Sequence, residues 1–158
     1  MRYRRLKIQE FEALEAQFIQ FLAVNSVTGS DWEKIKLQNP QRMNDLLDQF
    51  SDVVLSSVID KVKYLVQIGA KSLMIFNCHT EYLEIVGIST DTEAKFDQYE
   101  RLADALEALP NNVKLQTFSH TKTYLKSRDM EIFELLESGC QITDEAIFNQ
   151  ISALNQTS

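Results

Sequence analysis

Glycine and proline are scarce in this 158-residue chain, with four of the first and two of the second. A loop-rich or all-β protein draws on more turn formers than that, so the composition favours helices. The glycines stand only at 29, 69, 87 and 139, which argues against a nucleotide cradle. No G-x-G-x-x-G, P-loop, H-E-x-x-H, G-x-S-x-G or EF-hand pattern occurs. Cysteine is limited to Cys78 and Cys140, without a C-x-x-C. Two separate thiols fit a reducing cytoplasm better than a disulfide framework. No apolar run approaches the ~18 residues that span a bilayer. Glu10, Glu12 and Glu15 interrupt any apolar stretch behind the basic N-terminus, so no signal peptide is expected. Positive charge is in the minority, 16 Lys and Arg against 23 Asp and Glu, for a net charge of −7. Nucleic acid and anionic membrane surfaces are bound mainly through Lys and Arg, so neither is expected as a partner. The sequence therefore reads as a cytoplasmic protein of one globular domain, 1–158, with residues 155–158 frayed and no cofactor.

What is present is helical periodicity. In residues 40–68 the apolar side chains Met43, Leu46, Leu47, Phe50, Val53, Val54, Val58, Val62 and Leu65 recur at steps of three and four. Asn39 is the expected N-cap, Pro40 the first helical residue and Gly69 the stop. A bend near Ser51 is allowed for. An earlier helix, 8–24, carries Ile8, Phe11, Leu14, Phe18, Phe21 and Leu22. Ser30-Asp31-Trp32-Glu33 reads as a capping box opening a short helix, 31–37, anchored by Trp32. Beyond Gly69 the period changes to that of strands, at 72–78 and 81–88, with the first apolar on both faces and so central. Thr90-Asp91-Thr92-Glu93 reads as a second capping box for a helix over 92–109. A third strand is expected at 113–118, then helices at 128–138 and 144–154. Ser127 and Thr143 are their caps, and Ile142 and Ile147 form a hydrophobic staple. The expected fold is α+β: a helical N-terminal half of three helices, one long, packed with a small sheet of about three strands, and two closing helices.

MRYRRL, the following EFEALEAQFIQFLAVNSVTGSDWEKIK helix pair, DQFSDVVLSSVIDKVKYL, and the LMIFNC and EIVGI strands together resemble a family of small uncharacterised bacterial proteins, a domain of unknown function. The likeness runs over most of the chain and is strongest from 1 to 88. It implies no activity, cofactor or catalytic residue.

Three groups of residues could carry chemistry. Arg2, Arg4, Arg5 and Lys7 form the densest positive cluster, and they precede a helix N-terminus whose dipole they oppose. They either pair with acids of the fold or a second subunit, or bind an anion or acidic partner. Residues 113–128 hold His120, Lys122, Lys126 and Arg128 with no acid. The last lies at a helix N-terminus, where anions are favoured. The competing reading is a solvated loop paired with the acidic 92–109 helix. Cys78-His79-x-Glu81 gathers a thiol, an imidazole and a carboxylate, types that bind zinc or activate a nucleophile. Adjacent strand residues point apart, which favours a buried cysteine beside a turn histidine. Asp45/Asp48 and Glu134/Glu137 read as solvated helix faces. The leading expectation is a non-catalytic interaction or structural module with a protein partner or as a homodimer. The alternative is a small-ligand or anion-binding regulatory domain using segments 1–7 or 113–128. An enzyme using Cys78, His79 or His120 is third.

Overall fold

Asn39 and Pro40 open the longest helix as the sequence predicts. The Asn39 side chain accepts from the Arg42 N–H at 3.1 Å, and the helix runs Pro40–Lys61. The computed structural model describes residues 1–91 and 94–156, and the chain divides into two units, 1–60 and 61–158. In the first unit α1 is Ile8–Ala13, α2 Glu15–Val24, α3 Gly29–Gln38 and α4 Pro40–Lys61. The helix expected over 8–24 is broken at Leu14, whose φ of −110° and ψ of 23° leave the helical region. The capping box before α3 lies two residues earlier than expected. Thr28 Oγ1 accepts from the Asp31 N–H at 3.1 Å, and the Asp31 carboxylate accepts from the Thr28 N–H at 3.0 Å.

Leu22, Val27 and Leu46 form the core of this unit, with Phe18, Phe21, Trp32 and Ile35 packed against it. Trp32 meets Phe18 edge-on at 5.2 Å, and Phe18 meets Phe50 at 5.0 Å. Ser51, wholly buried, ties the N-terminal segment down. Its Oγ accepts from the Leu6 N–H at 3.0 Å and donates to the Leu47 carbonyl at 2.7 Å.

Among the described residues the second unit holds five antiparallel strands, not about three: β1 Tyr64–Ile68, β2 Ser72–Cys78, β3 Tyr82–Thr90, β4 Leu115–Thr123 and β5 Gln141–Thr143. Their order is β4-β3-β2-β1-β5. β1 comes from the end of the stretch expected to be helical. It pairs Tyr64 with Asn77 and Ile68 with Leu73, and a hydrogen bond from Gly69 N–H to the Ser72 carbonyl (2.9 Å) closes the turn. Gly69 thus shapes a hairpin rather than ending a helix. β2 is central, as its two apolar faces predict. β4 extends the expected 113–118 strand to Thr123.

The helix expected over 92–109 is replaced, in the described residues, by a 3₁₀ turn at Phe96–Gln98 and a short α5, Leu102–Glu107. Thr92 and Glu93, half of its expected capping box, lie outside the described residues. Lys95 has a positive φ of 55°, which breaks helical continuity, and the Phe96 N–H donates to the Ala70 carbonyl at 3.3 Å. α6, Arg128–Glu137, starts at Ser127, whose Oγ accepts from the Met130 N–H at 3.2 Å. Gly139 follows it at φ 106°, the left-handed conformation that favours glycine. α7, Glu145–Gln156, is capped by Asp144 rather than Thr143, through the Ile147 N–H at 3.1 Å. Ile142 is exposed, so no staple forms with Ile147. Asn155 and Gln156 continue the helix, and residues 157–158 lie outside the described residues.

Register assigns the two sheet faces. One carries Val66, Leu73, Ile75, Val86 and Ile88, and buries them against Ile147, Phe148 and Ile151 of α7 with Phe96 and Ala105. The other carries Leu65, Phe76, Cys78, Leu83 and Ile85, all buried, and then Gln67, Met74, Gly87 and Phe118 in one row across the strands.

Candidate functional site

The basic segment after β3 is held in place by the fold's own groups. Lys122 Nζ lies 2.7 Å from Glu131 Oε1, on α6, and the Glu131 side chain is nearly buried. Lys126 pairs with Glu134, also on α6. These acids do the neutralising that the 92–109 segment was expected to do. Arg128 is spent on backbone. Its Nη2 donates to the carbonyls of Val62 (2.6 Å) and Cys78 (3.2 Å), and its Nε to that of His79 (3.2 Å). Tyr124 Oη donates to the same His79 carbonyl at 2.8 Å. The guanidinium therefore ties the end of β2 to the chain entering β1 by giving its N–H groups to three carbonyls. His120 is separate from this group. It is exposed on β4, opposite Ile85.

The N-terminal arginines are likewise engaged within their unit. Arg4 grips the Glu10 carboxylate with both terminal nitrogens, at 2.8 and 3.0 Å. That same carboxylate accepts from the Lys7 N–H at 2.6 Å, and Arg4 with this backbone bond holds Glu10 down to about 2. Glu10 thereby supplies the negative charge that the N-terminus of α1 lacks in its preceding residues. Arg5 Nε lies 2.7 Å from Asp48 Oδ1, and Asp52 accepts from the Arg2 N–H at 2.9 and 2.8 Å.

Cys78, His79 and Glu81 do not converge. Cys78 is buried on β2, and burial pushes its thiol up to about 11, with the Arg128 charge opposing weakly. At neutral pH it is a protonated thiol, a poor nucleophile and a poor metal ligand. His79 turns to Glu84 (3.1 Å) and stacks on Tyr82 at 4.4 Å, while Glu81 is exposed in the turn. Among the described residues no group of three His, Cys, Asp or Glu side chains could hold a metal ion. Cys140, the second free thiol, is buried too.

A hollow of about 420 Å³ lies on the second sheet face of the C-terminal unit. α6 reaches this face at its Lys122 end, through Glu131, and the hollow lies toward the opposite strand ends. Gln67, Met74, Gly87 and Phe118 make its floor, with Ser72 and Gln116 at the rim. Phe118 is 43% exposed. Its ring lies over Gly87, where a Cβ would stand 2.7 Å from ring carbons. None of the described residues lining the hollow is charged.

The sequence model of one family, described as a family of unknown function, matches residues 1–156. The chain belongs to that family, DUF6495. No curated protein and no solved structure matches it. In this DUF6495 chain the surface that sequence reasoning passed over is the Gly87–Phe118 hollow. One signal for it was in the sequence: a glycine inside a strand marks close approach of another group. Among the described residues no helix is long and apolar enough to cross a membrane.

Proposed function

We propose that this chain is a protein-interaction or structural module without catalytic activity, and that the hollow around Phe118 is its contact surface. One observation carries the reading. A quarter of the chain's residues are charged, yet the described lining of the hollow contains no charge. Depletion of charge around an aromatic anchor, with neutral polar groups at the rim, is what the centre of a protein interface requires. The Phe118 ring is supported from beneath by Gly87, so it offers a flat apolar surface without a flexible stem. Two free buried thiols support placing this module in the reducing cytoplasm.

The test is quantitative affinity capture of the tagged chain from its own cells, beside Phe118→Asp. The expected result is a protein recovered in stoichiometric amount with the natural chain and lost with Phe118→Asp, while the melting temperature moves by no more than a few degrees. Equal recovery by both chains would remove the hollow as the contact surface. Recovery of nothing would remove the interaction reading itself.

A further inference from the structure

We propose that a cleft between the Lys95 turn and α5 binds a small aromatic acid, a flat apolar body with one carboxylate. The cleft has a volume of about 560 Å³, in the range of small-molecule sites. Lys95, Gln98, Tyr99, Ala105, Ala108 and Val113 are among the residues that line it. This site lies beyond the contact surface around Phe118, with which it shares no described lining residue, so each stands or falls separately.

Local backbone geometry builds the cleft. The Gln98 N–H donates to the Lys95 carbonyl at 3.0 Å, a bond spanning three residues. Side chains so spaced lie one above the other, which sets Lys95 and Gln98 on one side of the Phe96–Gln98 turn. Phe96 holds Lys95 there. It is wholly buried in the core, and its N–H donates to the Ala70 carbonyl, so the left-handed Lys95 backbone is fixed by its neighbour. On α5 and just past its end, Ala105, Ala108 and Leu109 recur at steps of three and four and form a second wall. The Val113 N–H donates to the Pro110 carbonyl at 3.1 Å, and that turn, with Ala94, completes the described lining.

The lining selects the ligand. Ala94, Ala105 and Ala108 have short side chains, which leave room for a flat body, and the exposed Tyr99 offers a ring for it to stack on. Lys95 is the one charged residue of the described lining, and Gln98 is its neutral hydrogen-bonding neighbour. A carboxylate at the mouth is met by the Lys95 ammonium on its flexible stem. Asp97, Glu100, Asp104 and Glu107 belong to the same stretch of chain, yet none of them lines the cleft. Their field raises the cost of any further negative charge, so one carboxylate is admitted and a dianion is disfavoured.

The test titrates the full chain at neutral pH with naphthoate, with its neutral amide naphthamide and with the dianion naphthalene dicarboxylate, and follows the backbone amides by NMR. The expected result with naphthoate is a saturable shift of amides within 94–99 and 105–113, with a Kd of about 1 mM or tighter. The amide and the dianion should bind more weakly. Lys95→Met should weaken naphthoate about fivefold, as for an ion pair open to solvent, and leave naphthamide unchanged. A merely structural role of Lys95 would not separate the two ligands. Ala108→Leu, at an exposed position, should fill the cleft and abolish binding of both. If Ala108→Leu disturbs the fold, the Lys95→Met comparison decides alone. Shifts that never saturate, or that centre on Gln67, Met74 and Gly87 of the hollow, overturn the inference. So do equal affinities of the natural chain for acid and amide, or an equal effect of Lys95→Met on both. None of these results touches the capture experiment on Phe118.

Discussion

Phe118 and Gly87 face each other across β3 and β4, and the ring occupies the space that any side chain at position 87 would need. A Cβ there would stand 2.7 Å from Cδ1 and Cε1 of the ring and 3.1 Å from the Leu73 carbonyl oxygen. Gly87→Ala should therefore destabilise the chain by about 1–3 kcal/mol, the usual cost of overfilling a packed site. Phe118→Ala should cost less, because the ring is 43% exposed. The double variant should cost less than the sum, since the ring that the added methyl group would strike is gone while the Leu73 carbonyl remains. Urea unfolding of the four chains gives the coupling directly. Additive losses would show that ring and glycine do not share that space.

Arg128 should matter through stability. Its guanidinium satisfies the carbonyls of Val62, Cys78 and His79 from one planar fork. Arg128→Ala strands the Val62 and Cys78 carbonyls in a partly buried place, while the His79 carbonyl keeps Tyr124, and should cost about 2–4 kcal/mol. Arg128→Lys keeps the charge but cannot reach three carbonyls at once, so it should recover less than half of the loss. Equal stability of Arg128→Lys and the natural chain would show that charge alone matters there.

The Cys78 thiol predicts the alkaline behaviour. Its ordinary value of 9.0 is raised to about 11 in the folded chain, first by burial. Between those values the unfolded chain binds fewer protons than the folded one, so stability falls as pH rises. The contribution is complete below pH 9 and is lost through pH 11, for a total of order 2 kcal/mol. Cys78→Ala should flatten that part of the stability curve. In the natural chain at about pH 8, below the ordinary thiol value, iodoacetamide should label Cys78 only on unfolding. Labelling of the folded chain at the rate of a free thiol would contradict the burial.

Where one period dominates, the elements can be read from residues. β2 and β3 stand at nearly their expected bounds, and α4 and α6 begin at the expected caps. β1 does not follow, because Val62 and Leu65 continue the three-and-four spacing of α4 while Leu65 and Val66 are both buried. An interior strand covered on two faces shows no alternation to contradict a helix. The far half of β4 reads as loop for the opposite reason. Ser119, His120, Thr121 and Thr123 are exposed, so neither face carries an apolar stripe. β5, with three residues, is below any periodic signal. The candidate cations are visible in the sequence, but their partners are not. Glu134 reads as part of a solvated helix face until the turn at Ser127 sets it against Lys126, and Glu131 against Lys122.

The place of β5 beside β1 has a consequence for the order of synthesis. β1, β2 and β3 form a meander that is complete once Thr90 has left the ribosome. β1 nevertheless remains an edge until Gln141–Thr143 arrives to pair with Tyr64, Leu65 and Val66. Over a long stretch of its translation the growing chain therefore carries an apolar strand with one side open, the kind of edge that recruits chaperones or mispairs. The shortest and last of the described strands closes it.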